Sequence, residues 1–337
     1  DHSSWQSVYL PMPVARGHDV LIEVQAVSVN PVDCKIRQAV SAPEGEWKVL
    51  GWDASGIVTA VGDKVSLFKP GDRVWYAGDL SRPGSNAEYQ LVDEYLVGHR
   101  PASLTFVEAA ALPLTSITAW EMLFDRLQMA QSVTSNINQG SKTLLIIGAA
   151  GGVGSIMTQL AKQLTDVTVI ATASRSDSQQ WLQQLGADHS IDHRQPLAPQ
   201  LNRLGVTAVD YVVSLNQTDQ HLSDIVEVIA PQGKFGLIDD PAELNALPFK
   251  RKSVSLHWEL MFTRSLYQTD DKIQQHHLLT KVAALVDEGR IRTTMTQDFG
   301  LLTVDNLRRA HALLESQQSR GKIVLQVQPY CLLRLVV

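Results

Sequence analysis

The stretch LLIIGAAGGVGSIMTQLAKQL, Leu144 to Leu164, sets an apolar strand, a glycine-rich turn and an amphipathic helix in immediate succession. That order is the local requirement for a pyrophosphate site at the edge of a parallel sheet. Ala149, Gly151 and Gly154 stand at the three fingerprint positions, with Ala in the first. Without a side chain at Gly151 the backbone can approach a diphosphate, whose charge then faces the helix N-terminus through Gly152 and Val153. Gly154 lets the helix pack closely on the strand. A turn that serves packing alone is the competing reading, and the flanking strand and helix favour a dinucleotide over it.

The tip of the next strand, in VTVIATASRSDS, selects the dinucleotide. An NAD site would place an Asp or Glu there for the ribose hydroxyls; Ser174 and Arg175 stand in its place. A guanidinium beside a hydroxyl suits a 2′-phosphate, so the expected cofactor is NADPH. The plainer alternative has Ser176 and Gln179 capping the helix SQQWLQQL, with Arg175 as a solvated charge.

Short apolar runs alternate with amphipathic helices from TLLIIG through VTVIAT, HSID, VDYVVS and KFGLID to SVSLHW. This alternation predicts an α/β fold with a Rossmann doubly wound parallel sheet. Before it, from Val20 to about Val97, β-rich runs are punctuated by turns such as KPGD at Lys69–Asp72, which predicts a β-barrel-like domain. After Asp271 a long helix, the helix NLRRAHALLES and a closing strand GKIVLQV return to that first domain. The expected boundaries are 1–117 for the first part of the barrel domain, 118–268 for the nucleotide domain and 269–337 for the return.

With 337 residues, 44% hydrophobic and 19% charged, the chain has ample core for two domains. A formal charge of −6 argues against a nucleic-acid partner, which needs a basic surface. Two cysteines, Cys34 and Cys331, build neither a disulfide framework nor a four-thiolate zinc lobe, so cytoplasmic placement is expected. No run reaches the ~20 apolar residues of a membrane helix, and DHSSWQSVYL lacks the marks of a signal peptide. The chain begins without Met, so its true start can lie upstream; the tail YCLLRLVV reads as an added edge strand or as foreign sequence. Among the ten histidines no HExxH occurs. His276 and His277 are expected to be solvated, as is the basic run Lys250, Arg251, Lys252.

Taken in order, VSVNPVD, GWDASGIVTAVG, FKPGDRV, EAAALPLTSITAW, GAAGGVG and RGKIVL resemble the medium-chain dehydrogenase/reductase superfamily, quinone oxidoreductase branch, and within it the zinc-type alcohol dehydrogenase-like proteins. The resemblance runs from Leu10 to Val327. It implies that the barrel domain is GroES-like, that a further strand precedes this chain, and that the protein is a homodimer.

Zinc-dependent relatives carry a Cys where this chain has Asn30 and a Gly-His-Glu turn where it has Gly51, Trp52 and Asp53. Both ligands are therefore replaced, and no metal is expected; a rearranged site through Cys34 and Asp53 is the alternative. The resemblance also implies that Asn30, Trp52 and Thr118 lie beside the nicotinamide, that His193 in IDHR lies near the adenosine phosphate, that Ser214 and Asn216 reach toward the ribose, and that Lys322 sits near the cofactor phosphates. Trp258 and Phe262 in SLHWELMFTR line either a pocket, a subunit contact or core. Tyr76 is the one phenol considered as a proton donor, against a reading as barrel core.

Without zinc, a strongly basic alkoxide has no Lewis acid to hold it. A quinone or α,β-unsaturated carbonyl accepts hydride to give a delocalised, weakly basic oxyanion instead. The expected activity is thus NADPH-dependent, zinc-independent reduction of conjugated acceptors. Zinc-containing alcohol dehydrogenase chemistry and a non-catalytic NADPH-binding protein are the alternatives.

Overall fold

Val, Ile and aromatic residues recur through the first hundred positions, and in the structure they form strands with the apolar side chains turned inward. The structure, a computed structural model, describes residues 5–132 and 142–328 and the backbone of 334–336. In chain order the strands are β1 (Gln6–Val8), β2 (Asp19–Val29), β3 (Ala54–Val61), β4 (Arg73–Tyr76), β5 (Tyr89–Asp93), β6 (Val97–His99), β7 (Thr143–Ile147), β8 (Thr168–Thr172), β9 (His189–Ile191), β10 (Val209–Ser214), β11 (Ile229–Leu237), β12 (Ser255–Trp258), β13 (Met295–Leu301), β14 (Lys322–Gln326) and β15 (Arg334–Val336). The chain divides into a first unit, Asp1–Ile117 with Met261–Val337, and a second unit, Thr118–Leu260.

The return to the first unit begins at Met261, ahead of the position 269 that sequence spacing indicates. The reason is local: the Met261 carbonyl accepts a 2.7 Å bond from Gln275, and Arg264 holds Asp271 at 2.9 Å, so residues 261–268 are tied to the helix Gln274–Asp287.

In the first unit a seven-stranded sheet runs β13-β14-β2-β3-β4-β6, with β5 also paired to β2. Val20, Ile22, Val24 and Val27 of β2 meet Val58, Val74, Ile323 and Leu325 in one core. The strand register gathers polar residues at one end of this sheet. Ile323 of β14 lies opposite Val29 of β2, and Val27 of β2 lies opposite Ala54 of β3. The end of β2 and the starts of β3 and β14 therefore coincide, which brings Asn30, Asp53 and Lys322 to one corner.

Two elements of this unit differ from expectation. The helix Pro31–Ala39 interrupts the β-rich region, and β13 was hidden in MTQDFGL, whose alternation is too weak to declare a strand. The tail residues Arg334–Val336 pair antiparallel with β1, as an edge strand does. Cys331 and residues 133–141 of the polar connector lie outside the described residues.

The second unit is a six-stranded sheet in the order β12-β11-β10-β7-β8-β9, every pair parallel. β7 is buried along its whole length, as a central parallel strand must be. Strand order reverses between β7 and β10, so the C-terminal ends of these two strands flank the crevice where doubly wound sheets bind ligands. Lys252 is not solvated as expected: its ammonium donates to the carbonyls of Val226, Glu227 and Ile229 and closes the end of the helix Thr218–Val228. Glu259, just past β12, is buried against Glu121, and burial with that second carboxyl pushes it up to about 9 against the pull of Arg126 at 2.7 Å.

At Gly56 strands β2 and β3 approach too closely for any side chain, since an added Cβ would stand 2.3 Å from the Glu23 carbonyl oxygen. Gly56→Ala is expected to cost about 2 kcal/mol in urea unfolding, the order of an overpacked core position. A midpoint equal to the wild type would show that the two strands are not held at this distance.

Candidate functional site

Each unit carries one set of candidate residues. In the second, Gly148 follows β7 with φ +76°, and a Cβ there would stand 2.4 Å from Asn216 Oδ1 at the end of the neighbouring β10. Gly151 precedes the helix Gly152–Leu164 as its N-cap, leaving the first N–H groups of a 13-residue helix without intrahelical acceptors. A Cβ on Gly151 would meet nothing nearer than the Gly148 carbonyl at 3.8 Å, so internal packing does not require glycine here. That room, at a helix N-terminus, is what an approaching phosphate needs. Gly154 is the opposite case: its Cβ would fall 2.2 Å from the Ala149 carbonyl, so helix and strand can pack only with glycine. Gly152 and Val153 are partly buried in the first helical turn, and Ala149 is buried.

The tip of β8 links this turn to the expected adenosine side. Thr172 Oγ1 accepts a 3.0 Å bond from Gly148 N–H and lies 3.0 Å from His193 Nδ1. Burial and the nearby His221 hold His193 below the ordinary imidazole range, so it is neutral at pH 7. Arg175, 45% exposed at its side chain, is the N-cap of the helix Ser176–Gln184 and reaches Ser178 at 3.3 Å. The sequence reading missed Arg194, whose guanidinium donates to the Ser174 carbonyl at 2.6 Å and pairs with Asp192. Its position directly after His193 was the available signal. Ser214 is buried with its Oγ 2.7 Å from Thr218 Oγ1, while Asn216 is exposed. Thr118 is buried within the helix Pro113–Trp120.

In the first unit the corner of β2, β3 and β14 holds a closed polar network. Lys322, 3% exposed, donates to Asp53 Oδ2 at 2.9 Å, to the Val29 carbonyl at 3.1 Å and to Asn30 Oδ1. An ammonium has three N–H donors, and three acceptors surround it. Asp53 accepts from Lys322, from Asn30 Nδ2 at 3.1 Å and from the Leu114 N–H at 3.1 Å, the pattern of an ionised carboxylate. Burial raises its carboxyl, and those three partners pull it back. Removing one member of such a pair leaves an uncompensated buried charge, which costs about 3–5 kcal/mol. The expectation that Lys322 meets cofactor phosphates is corrected here: its donors are already engaged inside the first unit.

Asn30 also begins the helix Pro31–Ala39, and its N–H donates to Asp33 Oδ2 at 2.6 Å. Asn30, Pro31 at the first helical position and Asp33 at the third are a start signal that the sequence carried. Asp33 Oδ1 has no hydrogen-bond partner among the described residues. Desolvation pushes this carboxyl up to about 7, with Asp53 adding to the rise and Lys322 opposing it.

Tyr76 is corrected as a donor candidate. It is fully buried, its hydroxyl donates to Gln90 Oε1 at 2.8 Å, and burial pushes the phenol above its ordinary range. It belongs to the barrel core. His276 is likewise not solvated, since its Nδ1 lies 2.7 Å from the Val97 carbonyl.

The donors at this corner do not fit a catalytic zinc. Trp52 is wholly buried and its indole N–H points its proton at the Asp79 carbonyl, 3.1 Å away. Asp53 is saturated by hydrogen-bond donors. Cys34 Sγ lies 3.4 Å from His311 Nδ1, and burial pushes its thiol up to about 12, far from a metal-binding thiolate. Among the described residues no group of three His, Cys, Asp or Glu side chains is arranged to hold a metal ion. No helix among them is long and apolar enough to cross a membrane.

The Asp33 carboxyl predicts a specific pH dependence. Its folded value lies above its unfolded one, so the stability it contributes is complete below about 4 and is lost as pH rises through about 7. Asp33→Asn keeps an acceptor for Asn30 N–H and removes the titration. Its melting temperature relative to wild type should be several degrees more favourable at pH 8 than at pH 4; an equal difference at both would show that Asp33 does not ionise in this window.

The alcohol dehydrogenase GroES-like domain family matches residues 16–111, and the zinc-binding dehydrogenase family matches residues 185–325. A zinc-type alcohol dehydrogenase-like protein of Staphylococcus aureus (strain MRSA252) is 42% identical over 94% of this chain and 92% of its own length. A crystal structure from Rhizobium etli CFN 42, provisionally named a zinc-dependent alcohol dehydrogenase, superposes with a TM-score of 0.89 at 54% identity, covering 94% of this chain and 91% of its own. The quinone oxidoreductase of Lama guanicoe is 28% identical over 93% of this chain and 90% of that protein. The GroES-like barrel, the Rossmann sheet and these relatives agree, and the chain belongs to the zinc-type alcohol dehydrogenase-like proteins in the quinone oxidoreductase branch of the medium-chain dehydrogenase/reductase superfamily.

Proposed function

We propose that this oxidoreductase is an NADPH-dependent, zinc-independent reductase of quinones or α,β-unsaturated carbonyls. The observation that carries the reading is the Lys322–Asp53–Asn30 network at the ligand turn, where relatives of the zinc-dependent kind hold an ion. An active site of this composition has no Lewis acid for a localised alkoxide. A conjugated acceptor needs none, because the electron pair displaced by hydride spreads onto a carbonyl oxygen several bonds away and hydrogen bonds hold it.

NADPH, when bound, supplies the hydride, and the residues of this chain bind, orient and keep the site dry. The turn Ala149–Gly154 is the proposed pyrophosphate cradle. Ser174 and Arg175, with His193, face the 2′-phosphate in this reading; Asn216 and Ser214 serve the ribose side, and Asn30, Trp52 and Thr118 wall the nicotinamide and the acceptor. The GroES-like and Rossmann units would work as a cytoplasmic homodimer without a nucleic-acid or membrane partner. The exposed Trp258 and Leu260 at the free edge strand β12 support an edge-to-edge subunit contact.

NADPH oxidation against a panel of quinones and enones tests the reading, and an absence of turnover with every conjugated acceptor would overturn it. Tight NADPH binding without turnover would favour a non-catalytic role. Elemental analysis of protein isolated without chelator addresses the zinc alternative, which a stoichiometric metal would establish. Arg175→Ala should lower the preference for NADPH over NADH by about tenfold, the loss of roughly 1.4 kcal/mol from a charged phosphate contact, with kcat retained. An unchanged preference would make Arg175 a solvated charge.

A further inference from the structure

A threonine hydroxyl has one proton to give, and at Thr172 its destination is fixed by elimination. Thr172 is wholly buried at the end of β8, where its Oγ1 accepts the Gly148 N–H at 3.0 Å and its carbonyl accepts the Ala149 N–H at 3.1 Å. The other hydrogen-bond neighbour of Oγ1 among the described residues is His193 Nδ1, 3.0 Å away. Were Nδ1 to carry a proton and donate it, the hydroxyl proton would be stranded in the interior without an acceptor. Thr172 therefore donates, Nδ1 accepts, and the ring proton sits on Nε2. Turning the ring over would strand the same proton against a ring carbon, so the bond sets the direction of the imidazole as well as its tautomer. Nε2 makes no hydrogen bond to a described residue, and unlike Nε2 of His311 it is not shut away from solvent. The result is one N–H, fixed from behind and open in front.

We infer that Thr172 is a positioning residue for cofactor selection: it holds His193 with Nε2–H outward, as a fixed donor to the 2′-phosphate of NADPH. The inference rests on the proposed NADPH reading. The tips of β8 and β9 put this donor beside the other residues of that reading. The Ala173 N–H donates to the Ile191 carbonyl at 3.0 Å, and the Arg194 guanidinium holds the Ser174 carbonyl at 2.6 Å, so Ser174 and Arg175 leave β8 next to His193. His221 of the helix Thr218–Val228 packs edge-on against the His193 ring, with centroids 5.7 Å apart. A neutral imidazole that presents N–H attracts a phosphate oxygen, and one that presents the bare nitrogen repels it. A ribose hydroxyl accepts from the first and donates to the second, so NADH is indifferent to the tautomer. The Thr172–His193 bond thus bears on the choice between the two cofactors more than on affinity for a dinucleotide as such.

The test measures Kd for NADPH and for NADH by fluorescence titration in wild type, His193→Ala, Thr172→Val and Thr172→Ser, and reads the ring by nitrogen NMR of protein labelled at histidine, with His193→Ala assigning the signal. In the wild type at neutral pH, Nδ1 should resonate as an unprotonated ring nitrogen and Nε2 as a protonated one. His193→Ala should lower the preference for NADPH over NADH about tenfold, the loss of one hydrogen bond to a charged group. Thr172→Val should lower it about threefold or more with NADH affinity kept, and Thr172→Ser, which retains the hydroxyl, should restore it. A wild-type ring protonated at Nδ1 would overturn the inference. So would a Thr172→Val protein that loses NADH and NADPH alike, because the hydroxyl would then act through the Gly148 N–H alone. Where Thr172→Val does not fold, the wild-type ring signal and His193→Ala decide the matter between them. A wild type with no preference for NADPH defeats the cofactor reading and this inference with it; a preference that survives in His193→Ala defeats the inference alone.

Discussion

A lysine ammonium buried between a carboxylate, a carboxamide and a backbone carbonyl is the interaction on which the GroES-like unit's site depends. Taking two charges out of water is expensive, and only close, complete pairing offsets that cost. Here the pairing is complete on both sides: three acceptors for Lys322, three donors for Asp53. The sheet register makes it so, because β2 ends where β3 and β14 begin. The network ties together residues from opposite ends of the chain, so the corner cannot form until β14 has joined the sheet. The polar site and the barrel are consequently one cooperative structure.

Charge counting explains the odd member of the cluster. Lys322 contributes one positive charge, and Asp53 and Asp33 offer two carboxyl groups. Asp53 accepts from the three donors, which favour its anion against the burial that raises it. Asp33, with one oxygen unpartnered, keeps its proton to near neutrality. Glu259 and Glu121 in the Rossmann unit solve the same problem with a proton as well as the Arg126 guanidinium. By contrast the glycine turn after β7 has no buried cation among the described residues. Its positive character comes from backbone N–H groups at a helix start, with Arg175 and Arg194 exposed at the next strand tip.

How much of this was legible followed the sequence distance of each interaction. The Rossmann half was readable because its information is local: a strand, a glycine turn and a helix within about twenty residues, and an acid missing from the next strand tip. The strong steric demand at Gly154 is the same signal seen in space. The helix Pro31–Ala39 was legible in principle through Asn30, Pro31 and Asp33, but the surrounding β-rich pattern masked it. The Asn30–Lys322 contact joins residues 292 positions apart, and no periodicity reports such a pair. Likewise the resemblance alone points Lys322 at a phosphate, charge alone puts Lys252 in solvent, and Tyr76 stands open between a proton donor and barrel core. All three polar groups are satisfied inside the protein, by partners 269, 23 and 14 positions away respectively.

In the proposed reading, a corner closed by an ammonium and without an ion differs in what it can stabilise. A zinc ion binds an oxygen directly and tolerates a full localised charge, as reduction of a simple ketone demands. The Lys322 ammonium has given all its protons to protein acceptors, so it has none to offer directly to a bound oxygen. It also cannot dissociate or be exchanged for a wrong metal. In the proposed reading such a corner suits delocalised acceptors, whose oxyanion needs no Lewis acid.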